Sequence, residues 1–278
     1  MTGDVRDTDL LEIAQEAAAA AAAVLFEQRP TVLLTESKSS LVDIVTDMDK
    51  RSESIIRDVL ARRRPHDAVL GEEGGATSGS SEVTWVVDPL DGTVNYLYDR
   101  SSWAVSIAAE VDGLTRVGVV AAPALGVTYW ATRGGGSFAD YRGTVQQLHA
   151  NPVTDLAQSL IATGFGYRRG RRAMQARVLP QVLPNVRDIR RAGAAAIDLC
   201  AVAHGRVDGY FERGLAPWDV AAGALIAAEA GAVVRPRDDN YATDRMYFAA
   251  APGIADALYE LLMTADADGD DLADDVLS

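Results

Sequence analysis

Cysteine is nearly absent from the 278-residue chain: Cys200 stands alone, which excludes internal disulfides, a thiolate zinc cluster and a redox pair. Histidine is scarce as well. His66, His149 and His204 sit in polar or helix-end contexts, and none pairs with a serine nucleophile, which argues against a triad hydrolase. Basic residues are outnumbered, 26 against 40 acidic, for a formal charge of −14. Nucleic-acid binding needs basic surface to displace counterions, so that class is disfavoured. The same excess repels anionic substrates, and a phosphate-handling site here needs metal ions to invert the local field. No apolar run approaches the roughly 20 residues of a membrane span. The polar start Met1-Thr2-Gly3-Asp4 is unlike a secretory signal, so a cytoplasmic protein is expected. At 48% apolar residues, the chain can bury the core of one large domain or of two closely joined ones.

What is present is a chain of alternating helical and extended patterns. An alanine-rich helix is expected over Asp9–Gln28, with Asp9 and Glu12 spaced as a capping box. A polar loop, Lys38-Ser39-Ser40, leads to a short strand at 42–45, and a helix follows from Asp47 to Arg64, stopped by Pro65. Strands are expected at Ala68–Leu70 and Trp85–Val87, and Pro89 should end the latter because it has no ladder donor. Asp112-Gly113 marks a hairpin between 104–111 and 116–122, continued by 127–132, with Gly134-Gly135-Gly136 as a turn. The second half alternates strands at 159–162, 188–190, 209–212 and 247–250 with helices at 172–183, 194–204, 217–230 and 253–263. Pro217 takes the first helical position. The composite is α+β, helices layered on sheets, as one domain over 1–264 of two joined halves meeting near 150. Residues 265–278 are expected as an acidic, disordered tail. Its Asp266-Ala267-Asp268-Gly269-Asp270 has glycine too early for a calcium loop.

Carboxylates gather at the ends of these elements. Glu72 and Glu73 follow one strand, and Asp88 and Asp91 follow the next, with Gly92 giving a sharp turn. Asp49 and Asp219 lie in the first turns of helices, where the macrodipole alone favours them. Asp88 and Asp91 also suit an Asx-turn. Taken together, acidic groups from several segments need cations to share a site, and oxygen ligands suit Mg²⁺. Glu73 is expected to be solvated, Trp85, Trp103 and Trp218 to be core, Cys200 to be inert packing, and the Arg168–Arg172 cluster to be a solvated helix start.

Three stretches resemble the signatures of the inositol monophosphatase family, Mg²⁺-dependent and lithium-sensitive phosphatases. They are Gly71-Glu72-Glu73-Gly74, the run from Trp85 to Tyr96 that contains Asp88-Pro89-Leu90-Asp91-Gly92-Thr93, and Pro217-Trp218-Asp219-Val220-Ala221-Ala222-Gly223. Residues 38–49 and Arg191–Ala196 extend the likeness, which spans about residues 9 to 262 in the family's order. The resemblance implies a layered α-β-α-β-α sandwich of the sugar and inositol phosphatase type, acting as a homodimer. It implies two or three Mg²⁺ held by Glu72, Asp88, the Leu90 carbonyl, Asp91 and Asp219, with Asp88 bridging. It implies a third, weaker ion near Glu72, and a cation-bound water as nucleophile, oriented and deprotonated by Thr93 with Asp49, so that Asp49, Thr93 and Glu72 form the catalytic set. Phosphate oxygens would be received by the N–H groups of Gly92 and Thr93. The alcohol half of the substrate would meet Gly193, Ala194, Ala195, Glu212 and Asp219. Ala216 and Ala194 stand where animal members carry histidine and threonine, which argues for a less exacting alcohol pocket.

The substrate expected is a small phosphate monoester, inositol 1-phosphate or a related polyol or sugar phosphate. Histidinol phosphate, fructose 1,6-bisphosphate and 3′-phosphoadenosine 5′-phosphate are alternatives. An RNA- or transcription-associated regulatory role, held by some bacterial relatives, is the non-enzymatic alternative. The aspartyl-phosphate chemistry of haloacid-dehalogenase phosphatases is disfavoured, because their two aspartates stand two apart and these stand three apart.

Overall fold

Helix α1 (Asp7–Glu27) owes its length to alanine, the best helix former, and buries Ala14, Ala17, Ala18, Ala21 and Ala22 along one face. The expected capping box is absent. The helix begins two residues earlier behind Arg6, Asp9 pairs with Arg6 at 2.9 Å, and Glu12 reaches across to Arg63 at 2.8 Å. Arg63 lies in α2 (Asp47–Arg63), which packs beside α1 and buries Asp49, Ser52, Glu53 and Ile56. The computed structural model describes residues 6–29, 47–236 and 245–270. The expected strand at 42–45, the Lys38–Ser40 loop and Thr46 lie outside them.

The first sheet has eight strands: β1 (Ala68–Gly71), β2 (Gly75–Thr77), β3 (Val83–Asp91), β4 (Ala104–Val111), β5 (Leu114–Ala122), β6 (Val127–Thr132), β7 (Gly136–Tyr141) and β8 (Thr144–Gln147). Their order is β2-β1-β3-β4-β5-β6-β7-β8, antiparallel except for the β1–β3 pair. A five-residue helix, α3 (Thr93–Leu97), follows β3. The second sheet, ordered β10-β9-β11-β13-β12, combines β9 (Leu160–Thr163), β10 (Asp188–Arg190), β11 (Gly209–Arg213), β12 (Val233–Arg235) and β13 (Met246–Ala250). Between and around these run α4 (Arg169–Val182), α5 (Ala195–Ala203), α6 (Pro217–Glu229) and α7 (Ala255–Thr264).

Strand periodicity assigns every layer. Val105, Ile107 and Ala109 of β4 face α1 and α2, whereas Ala104 and Ala108 face α5 and α6. In β13, Tyr247 and Ala249 face α5 and α6, and Met246, Phe248 and Ala250 face α4 and α7. Four apolar interfaces thus separate five layers, helix-sheet-helix-sheet-helix, which is the α+β sandwich expected. Each fully buried branched side chain in them contributes about 1.5–3 kcal/mol. The middle helices sit close to the first sheet: a Cβ on Gly118 of β5 would lie 2.7 Å from the Ala222 carbonyl oxygen.

Two expectations about chain ends and loops are corrected. Ala265 and Ala267 are buried, and Asp268 accepts the Met246 N–H at 2.6 Å and lies 3.5 Å from buried Arg213. The segment 265–270 is therefore packed onto β13 and is no free tail; 271–278 lie outside the described residues. Arg171, expected in a solvated cluster, is buried at 7% exposure against Gly166 and Gly214. Trp85 and Trp103 are fully buried and Cys200 is buried, as expected, while Trp218 is only half-buried.

Candidate active site

The site is built around the end of β3. Val83, Trp85 and Val87 face the outer helices, and Val86 faces the middle ones, as a regular pleat requires. Then the phase changes: Leu90, three residues after Val87, faces the outer helices again. The pairing with β4 shows why. Asp88 opposes Ser106 and Asp91 opposes Ala104, so β3 holds one residue more than its partner. Pro89 does not end the strand as expected, because at this irregularity its missing N–H costs no ladder bond. Residues three apart in an unbroken strand point to opposite faces; the extra residue brings Asp88 and Asp91 to the same one.

One oxygen each from Asp88, Asp91 and Asp219 lies within 4.8 Å of the other two. Each carboxylate is held from its own direction. Asp88 accepts the Leu90 N–H at 2.9 Å, a local turn of the kind its spacing suggested. Asp91 accepts the N–H groups of Ala195 (3.2 Å) and Ala196 (2.8 Å), at the positive end of α5. Asp219, in the first turn of α6, accepts the Ala216 N–H at 2.6 Å. Glu72 approaches from the turn after β1, its own N–H bonded to the Val87 carbonyl at 3.2 Å.

Burial raises all four, and repulsion from neighbouring carboxylates adds to it at Glu72, Asp88 and Asp91. Glu72 keeps solvent on one side, yet crowding by protein atoms and the charge of Asp219 push it up to about 8. Asp219 is pushed up to about 6, mainly by burial. Asp88 and Asp91 stand well above the carboxylate range, through burial and then through Glu72 and Asp219 respectively. The strongest influences on Asp88 and Asp91 are burial and the charges of Glu72, Asp198 and Asp219, each opposed by a backbone donor. A largely buried, all-oxygen set of like charges suits a hard divalent cation, so the residues fit the metal that the family chemistry implies.

Asp49 and Thr93 flank this set. Asp49 is 3% exposed on α2, and its charge raises Glu72 and Glu73. Glu73 is half-buried, which corrects the solvated reading. The Thr93 hydroxyl donates to the Leu90 carbonyl at 3.1 Å, and turning toward Asp49 requires it to leave that oxygen. Gly92, with φ +88°, bends the chain from β3 into α3; a Cβ there would meet the Ser102 carbonyl at 2.8 Å. Asn95 ties this bend to the loop before α5, donating to Ser102 (2.6 Å) and Ala192 (2.8 Å) carbonyls.

Beside the carboxylates opens a cleft of about 140 Å³, with Asp91, Gly92 and Asp219 on one side and Glu212 on the other. Gly193, Ala194 and Ala195 line it as expected. The Ala195 N–H is engaged by Asp91, so that residue serves the cleft chiefly as wall. Glu212 accepts from Tyr210 at 2.8 Å and is pushed up to about 7, chiefly by burial. Sequence reasoning missed the rest of this wall: Gly164–Tyr167, Gly214, and Arg191, whose charge holds Glu212 down. Gln175 joins two of its loops, accepting from Gly166 N–H (2.9 Å) and donating to the Arg213 carbonyl (3.3 Å). Gly164 and Gly166, two apart, are the sequence signal of this close packing.

Comparison with known proteins agrees with this geometry. The profile of the inositol monophosphatase family matches residues 6–267. An inositol-1-monophosphatase of Mycobacterium leprae is 48% identical over 233 residues, 81% of this chain and 80% of that protein. A Pasteurella multocida protein named Nus factor SuhB is 40% identical over 253 residues, 88% of this chain and 92% of that one. The solved structure of Mycobacterium tuberculosis SuhB superposes with a TM-score of 0.82 at 44% identity, covering 95% of this chain and 99% of that one. Among the described residues no helix is long and apolar enough to cross a membrane. Motifs, layers, carboxylate cluster and relatives converge on one conclusion: the chain belongs to the inositol monophosphatase family, whose metal-dependent members are phosphomonoesterases.

Proposed function

We propose that this phosphomonoesterase acts on small phosphate monoesters of polyols, inositol 1-phosphate foremost, in a site loaded with two or three Mg²⁺. The observation that carries the reading is the convergence of Asp88, Asp91 and Asp219 within 4.8 Å beside a cleft whose far wall is Glu212. Glu72, Asp88, the Leu90 carbonyl, Asp91 and Asp219 would hold the cations, which neutralise phosphate charge and lower the pKa of an attacking water. Asp49 would accept that water's proton, and Thr93 would orient it. The N–H groups of Gly92 and Thr93 would receive phosphate oxygens at the bend into α3. Glu212 would accept hydroxyl protons of the alcohol. The catalytic unit would be one domain of two joined halves, working in the cytoplasm as a homodimer inhibited by Li⁺.

Phosphate release from inositol 1-phosphate, histidinol phosphate, fructose 1,6-bisphosphate and 3′-phosphoadenosine 5′-phosphate tests this, with Mg²⁺, with chelator and with added Li⁺. Turnover that needs Mg²⁺ and is fastest in kcat/KM on inositol 1-phosphate is expected. A bisphosphate or histidinol phosphate ranked first would replace the substrate assignment, and chelator-resistant turnover would sink the mechanism. The likeness to a protein named Nus factor SuhB favours a second reading, a binding role in transcription. The Asp88→Asn variant separates the two, since a binding role survives the loss of a catalytic carboxylate.

A further inference from the structure

Helix α2 carries more of the site than Asp49. One turn beyond Asp49 stands Glu53, a carboxylate only 3% exposed that touches no part of the cleft. Its Oε2 accepts the N–H of Glu73 at 2.8 Å, and its Oε1 accepts the N–H of Gly74 at 2.9 Å. Arg57, a further turn along, pairs with Glu53 at 2.6 Å and donates to the Gly75 carbonyl at 2.7 Å. The turn from β1 to β2 is therefore clamped to α2 at three successive residues, immediately after Glu72. The fit is close on both sides: a Cβ on Gly71 would lie 2.5 Å from Glu53 Oε1, and one on Gly74 2.6 Å from the same atom. The same helix grips the other acidic strand. Ser52 donates to the Pro89 carbonyl at 2.8 Å, between Asp88 and Leu90.

We infer that Glu53 is a positioning residue for the cation site, holding the Glu72 turn at a fixed distance from Asp88 and Asp49 through α2. This rests on the reading of Glu72 and Asp88 as cation ligands. A turn that supplies a ligand on an exposed carboxylate must itself be held in place. Otherwise ordering it on cation binding lowers the affinity. Two charge-assisted hydrogen bonds from a buried acceptor supply that order in advance. Glu53 touches neither cation nor substrate in this role, so its removal acts on affinity for the cation and leaves recognition of the alcohol alone.

The test is calorimetric titration of the full chain with Mn²⁺, comparing wild type with Glu53→Gln. The variant keeps one acceptor oxygen but sets an amide against the second N–H. It is expected to bind Mn²⁺ about tenfold more weakly, while KM for inositol 1-phosphate at saturating Mg²⁺ stays within twofold. Ile56→Val, also on α2 and destabilising through the apolar layer, is expected to lower the melting temperature with unchanged Mn²⁺ affinity. Wild-type Mn²⁺ affinity in a folded Glu53→Gln variant that merely melts earlier would reduce Glu53 to a structural brace and overturn the inference. Should that variant fail to fold, Arg57→Gln takes the same titration. A loss of about threefold supports the inference there, and unchanged affinity overturns it. Wild type that binds no Mn²⁺ would overturn the underlying reading of the carboxylates instead.

Discussion

The two walls of the cleft are made differently. The wall from the first sheet carries Asp88 and Asp91 in the core, each bonded to backbone, and is braced from behind by Ser52 and Glu53. The wall from the second sheet is Gly164–Tyr167, Arg191, Glu212 and Gly214, with Tyr167 58% exposed and Arg191 also open to solvent. Charge placement on the first wall is over-determined by buried hydrogen bonds, as phosphoryl chemistry requires of groups that must not relax. On the second wall, the exposed side chains of Tyr167 and Arg191 can be exchanged without disturbing a packed core. Chemistry is fixed here, and recognition is tunable.

The largest effect that would break this contrast is expected from Asp88→Asn. Phosphate release should fall about 10³-fold or more with far-UV circular dichroism unchanged; activity within tenfold of wild type would show that the first wall is not the chemical one. Next comes the pH dependence of the cation-free protein. Glu72 at about 8, Glu212 at about 7 and Asp219 at about 6 all lie above their unfolded values near 4. The folded chain therefore binds more protons than the unfolded one across that window. Its carboxylate-linked stability is full below about pH 4 and is lost as pH rises through 6 to 8. Melting in chelator at pH 5 should exceed that at pH 8.5, with Mg²⁺ narrowing the gap; a higher melting point at pH 8.5 in chelator would refute the sign. The smallest effect sharpens the contrast. Glu212→Gln should raise KM for inositol 1-phosphate about tenfold while Mn²⁺ affinity stays within twofold. A parallel loss of cation affinity would mean that the two walls are not separable.

Much of the first wall was legible in the sequence because its signals are local. The strand at 85–87, the acidic residues behind it and the proline-led α6 each announce themselves within a few residues. The phase change at Pro89 did not, since proline argues equally for a strand's end and for an irregularity within it. Edge strands β2 and β8 were missed because every residue in them is exposed, so no alternation of apolar residues marks them. The burial of Arg171 and the docking of 265–270 depend on partners far along the chain: glycines at 166 and 214 for one, Arg213 and β13 for the other. Glu53 was invisible for the same reason. Beyond Arg57 on its own helix, its partners are backbone N–H groups about twenty residues away, which no side-chain pattern encodes.

The extra residue in β3 makes the stretch between Asp88 and Asp91 a counted interval. Removing one residue there would restore the even pleat and keep both carboxylates on one face, but it would draw Asp91 back from the Ala195 and Ala196 N–H groups, and adding one would carry it past them. Side-chain exchange at Pro89 leaves the count intact. Across variants of this chain, the loop should therefore accept changes of letter far more readily than changes of length.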